Sequence, residues 1–210
     1  MSDVGDWRVL RYNSAAGKAN GVPADSVFFQ PDFASSGAGL NSNRVGFPIA
    51  LEIGRGPILW VADPNNNRVL RLVNRDMVGA NPRANAVIGF SDLVSLNQID
   101  KLEDNQAGGS GLAHDATLDV LYISSQFRHH ILVLEDGATG SGGICVAAVL
   151  GQPDLATTSS GLSDSKLHLP RHIKLDKGGR LWATDRINIR VVRFSPRQHV
   201  SRCSLTCPLA

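Results

Sequence analysis

The chain has 210 residues, enough to bury a core in one domain or at most two. Lys and Arg number 21 against 19 Asp and Glu, a formal charge of +2, and so near a balance argues against a dedicated nucleic-acid binder or a polybasic membrane surface. With 42% hydrophobic and 19% charged residues the chain is too apolar to be disordered throughout, and no apolar run approaches the roughly 18 residues of a membrane-spanning helix. Cys145, Cys203 and Cys207 form an odd set that predicts neither a disulfide framework nor a zinc site. Cys145 reads as a small core residue beside Val146. The segment Met1–Trp7 is acidic and lacks the apolar stretch of a signal peptide, so the sequence leaves the compartment open.

Taken in chain order, the elements repeat. The chain opens with Asp3 and, five residues on, Arg8-Val9-Leu10-Arg11-Tyr12. A second block follows, Val27-Phe28-Phe29-Gln30-Pro31-Asp32-Phe33. Next come the apolar run Ile58-Leu59-Trp60-Val61-Ala62-Asp63 and then Arg68-Val69-Leu70-Arg71-Leu72. The second block returns as Val87-Ile88-Gly89-Phe90-Ser91-Asp92-Leu93. Leu121-Tyr122-Ile123-Ser124-Ser125 and His130-Ile131-Leu132-Val133-Leu134 repeat the pair, followed by Val149-Leu150-Gly151-Gln152-Pro153-Asp154-Leu155. Leu181-Trp182-Ala183-Thr184-Asp185 and Arg190-Val191-Val192-Arg193-Phe194 repeat it again. Corresponding residues lie about 60 positions apart, the interval of a repeat architecture.

Each unit is a set of short Val-, Ile-, Leu- and aromatic-rich runs bounded by turn residues, which are strand signals. In the third unit the reading is a first strand at His172–Leu175, a tight turn at Asp176–Gly179, a second strand at Leu181–Thr184 and a third at Arg190–Phe194. Ala147–Leu150 supplies an outer fourth strand in the second unit. The stretch Gln98–Gln106 is the one weak helical candidate. A repeated four-stranded antiparallel unit, apolar on both faces, predicts a propeller blade. A solenoid would pair its strands in parallel, and a plain sandwich would not repeat. The expected fold is therefore all-β: a β-propeller with about three four-stranded blades and a leading strand, over residues 1–196. The approximate repeats run 13–72, 73–134 and 135–194, and 197–210 is an unmatched tail expected to be disordered. Trp60, Tyr122 and Trp182 share one blade position and are expected to be buried between blades.

The pattern of apolar strand, Asp, about four residues and Arg-Val-Leu-Arg resembles the NHL repeat, with Asp63-Pro64-Asn65-Asn66-Asn67-Arg68-Val69-Leu70 as its best copy. The Gly151–Asp154 block is similar to that of bacterial-type NHL proteins with long interblade loops. The resemblance covers roughly residues 3–196 and implies a fold more than an activity. Members of the family usually form six-bladed rings that serve as protein-interaction platforms, sometimes bind RNA, and in one branch act as metal-using lyases. Three periods are too few to close a ring, which predicts either part of a longer chain or two copies associating as half-rings.

The candidate residues fall into two groups. Asp3/Arg8, Asp63/Arg68 and Asp185/Arg190 recur once per blade, with Ser125/His130 standing in their place in the middle unit. Recurrence in every blade marks a structural turn pair rather than a catalytic one. The second group, Glu52, Arg171, His172 and Lys174, aligns on the first strand of the blades, which lines the axial channel of a propeller, and is the candidate binding site. His168 and His172 flank Pro170, which breaks any helix, so they are weak metal candidates. His114 and Asp115 are adjacent and point to opposite faces of a strand. Gly108-Gly109-Ser110-Gly111 lacks the Lys-Ser/Thr of a phosphate loop. No catalytic set and no cofactor are predicted. The sequence points to a non-catalytic scaffold that binds a protein or peptide through loops such as Asn41–Phe47 and Ser125–His130. The alternatives are a zinc- or calcium-assisted lyase or hydrolase at the channel, and binding of single-stranded RNA by the Arg-rich C-terminal segment.

Overall fold

The computed structural model describes residues 1–56, 58–73, 77, 79, 81–89, 109–135 and 145–195. They form four antiparallel sheets that follow one another along the chain. Sheet one is β1 (Ser2–Asp3), β2 (Arg8–Arg11) and β3 (Ser26–Phe28). Sheet two is β4 (Ala50–Ile53), β5 (Ile58–Asp63), β6 (Arg68–Val73) and β7 (Ala86–Ile88). Sheet three is β8 (Gly109–Asp115), β9 (Val120–Ser125), β10 (His130–Glu135) and β11 (Cys145–Leu150). Sheet four is β12 (Pro170–Leu175), β13 (Leu181–Asp185) and β14 (Arg190–Phe194). Within each sheet the strands pair in sequence order.

The register repeats with the sequence. Asp3 faces Arg8, Asp63 faces Arg68, Ser125 faces His130 and Asp185 faces Arg190. The residue before each of these basic partners, Trp7, Asn67, His129 or Ile189, is in the left-handed conformation, with φ of 48°, 51°, 58° and 52°. In each case its N–H closes a tight turn onto the carbonyl three residues back, at Val4, Pro64, Gln126 and Arg186. None of the four is glycine, so each turn carries an intrinsic penalty of about 1–2 kcal/mol that the flanking strands must offset.

Three apolar clusters lie between successive sheets. Val9 and Phe28 meet Val61, Leu70 and Leu72 between sheets one and two. Trp60, Ala62 and Val69 meet Leu121, Ile123 and Leu134 between two and three. Tyr122, Ile131 and Val133 meet Ile173, Leu181 and Ala183 between three and four. Strands β5 and β9 are buried along their whole length, because each has a sheet on both sides. Their near-continuous apolar sequences follow from that, since removing each large side chain from water contributes about 1.5–3 kcal/mol. The first strands β4, β8 and β12 lie side by side. Sheets stacked face to face in chain order, with their first strands together, are blades of a partial β-propeller.

Two expectations change. The leading strand is a three-stranded sheet, because the Val27 block folds back on β2 in the register Val9↔Phe28 and Leu10↔Val27. Trp182 is not buried: it is 41% exposed, whereas Trp60 at the same position is 0%. The face of sheet three packs over Trp60, and among the described residues no sheet packs over Trp182. The expected strands and turn of the third unit are present as β12, β13 and β14, with Gly179 at φ 72° in the turn. Gln98–Gln106, Cys203, Cys207 and the 197–210 tail lie outside the described residues, as does the Cys145 side chain. Among the described residues no helix is long and apolar enough to cross a membrane.

Candidate functional site

The recurring Asp/Arg pairs are clamps that fasten loops to blades. In sheet two, Arg68 donates through Nε to Asp63 Oδ2 at 3.0 Å, and both side chains are fully buried. Arg68 Nη2 reaches past the pair to the carbonyls of Asn41 and Arg44, at 3.2 and 2.7 Å. Asp63 Oδ1 accepts the N–H groups of Gly46 and Phe47, each at 2.8 Å. Asn66 Nδ2 donates to both Asp63 Oδ2 and Gly39 O. Sheet four repeats the arrangement. Arg190 Nε donates to Asp185 Oδ2 at 2.7 Å and Arg190 Nη2 to the carbonyls of Ser163 and Lys166. Asp185 Oδ1 accepts the N–H of His168, and Asn188 bridges Asp185 and Gly161 O. In sheet one Arg8 joins Asp3 at 2.7 Å and reaches Phe33 O. A buried carboxylate and guanidinium are tolerable because each other's charge and several hydrogen bonds replace lost water. Burial still lowers the Arg68 pKa, and Asp63 opposes that effect.

Sheet three departs from this scheme. His130 occupies the arginine position and is completely buried. Neither of its ring nitrogens has a hydrogen-bond partner. Burial, with Arg128 and His129 nearby, pushes its pKa down to about 4, so the ring is neutral at physiological pH. The turn before it is held differently. His129 Nδ1 accepts the N–H of Leu169 at 3.1 Å, and its ring meets His168 edge-on at 5.2 Å between centroids.

The Gln-Pro-Asp block has a role that sequence reasoning missed. Gln30 is buried, and its Nε2 donates to the carbonyls of Trp7 and Gly37 at 3.0 and 2.9 Å, while its Oε1 accepts from Arg44. Gln152 Nε2 likewise donates to His129 O at 3.4 Å and Ser159 O at 2.8 Å, but its Oε1 is buried without a partner. In both sheets the glutamine follows the outer strand and is tied to the carbonyl of the left-handed turn residue. Asp32 and Asp154 then cap the following turn through the N–H groups of Ser35 and Thr157. The signal was the repeat of Gln-Pro-Asp itself. Its acceptors are main-chain carbonyls on both sides of it in sequence, Trp7 or His129 before and Gly37 or Ser159 after, and these residues share no distinctive type.

At the axis, Lys174 Nζ and Glu52 Oε2 are 3.3 Å apart, joining sheets two and four across sheet three. Lys174 is 74% exposed, so the pair is a weak tie. Arg171 and His172 sit in a bulge of β12 between the paired residues Pro170 and Ile173. His172 is exposed, and its N–H is bound by Thr184 Oγ1 at 2.9 Å. Ser124 Oγ donates to Arg171 O at 2.6 Å, and Arg171 Nε is buried without a partner. Gly111 lets β8 approach here: a Cβ would collide with the carbonyl of Arg171. The structure thus brings Glu52 and Lys174 together, sets Arg171 against β8, and leaves His172 on the outward face. His168 turns toward His129, not His172. Among the described residues no three His, Cys, Asp or Glu side chains are grouped as metal ligands. His114 pairs with Asp119 at 2.9 Å, and Asp115 caps its own turn at Thr117.

No family model matches the chain. No curated protein matches it either. Among solved structures it is similar to a catalytically inactive virginiamycin B lyase from Staphylococcus aureus with quinupristin, at 13% identity and a TM-score of 0.42, over 73% of this chain and 42% of that one. The selenomethionine-substituted lyase from the same organism aligns at 14% identity and a TM-score of 0.41, over 81% of this chain and 44% of that one. The hydrazine synthase of Kuenenia stuttgartiensis aligns at 10% identity and a TM-score of 0.37, over 70% and 34%. The chain spans less than half the length of each of these proteins.

Proposed function

We propose that the chain is a non-catalytic scaffold of NHL-type blades that binds a protein or peptide through the loops of one rim. The observation that carries this reading is the clamp. The polar side chains that recur from blade to blade are spent on holding backbone: Asp63 and Arg68 on Gly46, Phe47, Asn41 and Arg44, and Asp185 and Arg190 on His168, Ser163 and Lys166. The role of these recurring pairs is therefore to position loops. The same bonds place the 39–47 loop and the 63–68 turn on one rim. The turn carrying Phe127, 62% exposed, holds the equivalent position in sheet three. Loops fixed in advance on a rigid sheet lower the ordering cost of binding.

The test is selection of peptides from a displayed library against the folded protein, followed by calorimetry on variants. Phe127→Ala and Asn43→Ala on the clamped rim are expected to weaken the selected peptides at least tenfold. Ile53→Ala, at the opposite end of the blade and 68% exposed, is expected to leave them unchanged. The reverse pattern would refute the rim as the binding surface.

A further inference from the structure

The loop 30–47, from sheet one to sheet two, and the loop 152–169, from sheet three to sheet four, are built alike. In each, the leading glutamine bonds the carbonyl of a left-handed turn residue, Trp7 or His129. The next sheet then clamps the far end, Arg68 on the carbonyls of Asn41 and Arg44, and Arg190 on those of Ser163 and Lys166. The two copies differ in how the last two amides are held. In the first, the N–H groups of Gly46 and Phe47 both donate to Asp63 Oδ1, each at 2.8 Å. In the second, His168 N–H donates to Asp185 Oδ1 at 2.6 Å, but Leu169 N–H crosses the seam to His129 Nδ1 at 3.1 Å. Trp7, the counterpart of His129, could not take that place, because an indole donates and does not accept. The bond to His129 also holds a strained residue: Leu169 has φ 54°, a left-handed conformation unfavourable for leucine. The His168 ring stands edge-on to that of His129, 5.2 Å between centroids.

We infer that His129 is a proton-operated latch between sheets three and four: neutral, it holds the 152–169 loop at Leu169, and protonated, it releases that end of the loop. A neutral imidazole that accepts at Nδ1 carries its proton on Nε2. A second proton must therefore go to Nδ1, which then has no lone pair for the Leu169 N–H. The surroundings oppose the added charge. Arg128 and His130 adjoin His129 on its own turn, and His168 faces it from the loop. Lys166, on the same loop, directs its ammonium to Ser159. Asp185, at the end of β13, favours the charge, but its carboxylate is already bound by Asn188 and Arg190. Burial first, and then His168, push the His129 pKa below the ordinary imidazole value of 6.5, with Asp185 acting against them. The latch is thus closed above about pH 6.5 and loses its hold as pH falls below that value. The seam between sheets one and two lacks this dependence, because a carboxylate rather than an imidazole accepts the Phe47 amide. The latch works without any bound peptide, so it and the clamped rim can fail independently.

The test is amide hydrogen exchange, followed by NMR on the intact chain, with each rate divided by that of the same residue in an unstructured chain at the same pH. Between about pH 7.5 and about pH 5 the Leu169 amide is expected to lose about threefold or more of its protection, while the Phe47 amide keeps its own. The His129→Asn protein carries at this turn the residue type found at the equivalent Asn67, whose φ is 51°. In it the pH dependence at Leu169 is expected to vanish. Equal losses at Leu169 and Phe47 in the unsubstituted protein would mean general acid unfolding and would overturn the inference. So would Leu169 protection that stays constant with pH, or a pH dependence that survives His129→Asn.

Discussion

Trp60 and Trp182 occupy the same position in their blades, and each lies beneath an arginine. The guanidinium of Arg71 is 5.8 Å from the Trp60 ring, and that of Arg193 is 5.9 Å from the Trp182 ring. The first indole is sealed by the next sheet and the second is open to solvent. The open one is nevertheless held in place: its Nε1 donates to Asp176 Oδ2 at 2.9 Å, and Asp176 also accepts from Arg180. These bonds hold the Asp176 carboxyl well below the usual carboxylate range. Trp60→Ala is therefore expected to destabilise the protein by about 3–5 kcal/mol, the range for a truncated core aromatic. Trp182→Ala should cost about 1 kcal/mol, because little buried area is lost. Urea unfolding of the two variants measures the contrast, and equal losses would contradict it.

The clamps differ in depth, and depth sets their worth. Asp63 and Arg68 are fully buried, whereas the Asp3 and Arg8 side chains are 26% and 16% exposed. Asp63→Ala strands a buried guanidinium and two loop amides, and is expected to cost about 3–5 kcal/mol. Asp3→Ala should cost about 1 kcal/mol or less, since water can take over part of the role. Denaturant midpoints at constant m-value test the ranking.

His130 makes stability depend on pH in a stated direction. Its pKa is about 4 in the folded protein and near 6.5 when unfolded. Between those values the unfolded chain binds a proton that the folded one does not. This contribution is thus fully present above about pH 6.5 and is lost as pH falls toward 4, by on the order of 3 kcal/mol. His130→Phe keeps the volume, removes the titration, and should flatten that part of the curve. Unfolding free energies at pH 7, 6, 5 and 4.5 for both proteins provide the comparison.

Gly111 sits where β8 meets β12, and its missing side chain is what allows Ser124 to reach the Arg171 carbonyl. Gly111→Ala must push the strands apart and is expected to destabilise by about 1–3 kcal/mol, as overpacking does. Loss of near-ultraviolet signal from Tyr122, at this junction, should accompany it. An unchanged midpoint would mean that the strands are not in close contact.

Much of this architecture is legible in the sequence because it repeats. Asp63/Arg68 and Asp185/Arg190 announce themselves by recurring at a fixed interval, and so does the alignment of Glu52 with Lys174, whose side chains meet. Other features depend on what lies across a gap, which periodicity does not encode. Equivalent positions predict equal burial for Trp60 and Trp182, yet burial belongs to the neighbouring sheet. The glutamines Gln30 and Gln152 stand out as a motif, but their partner is a main-chain carbonyl, and a carbonyl leaves no mark on residue type. Ser125 and His130 read as a relaxed clamp. That His130 is buried with both nitrogens idle follows only from the coordinates.

The three apolar clusters each belong to one junction between consecutive sheets, and none reaches across two. Cohesion in such a molecule is the sum of nearest-neighbour seams rather than a property of a single shared interior. Heat or denaturant would then open it seam by seam, and the doubly flanked strands β5 and β9 would be the last to let go.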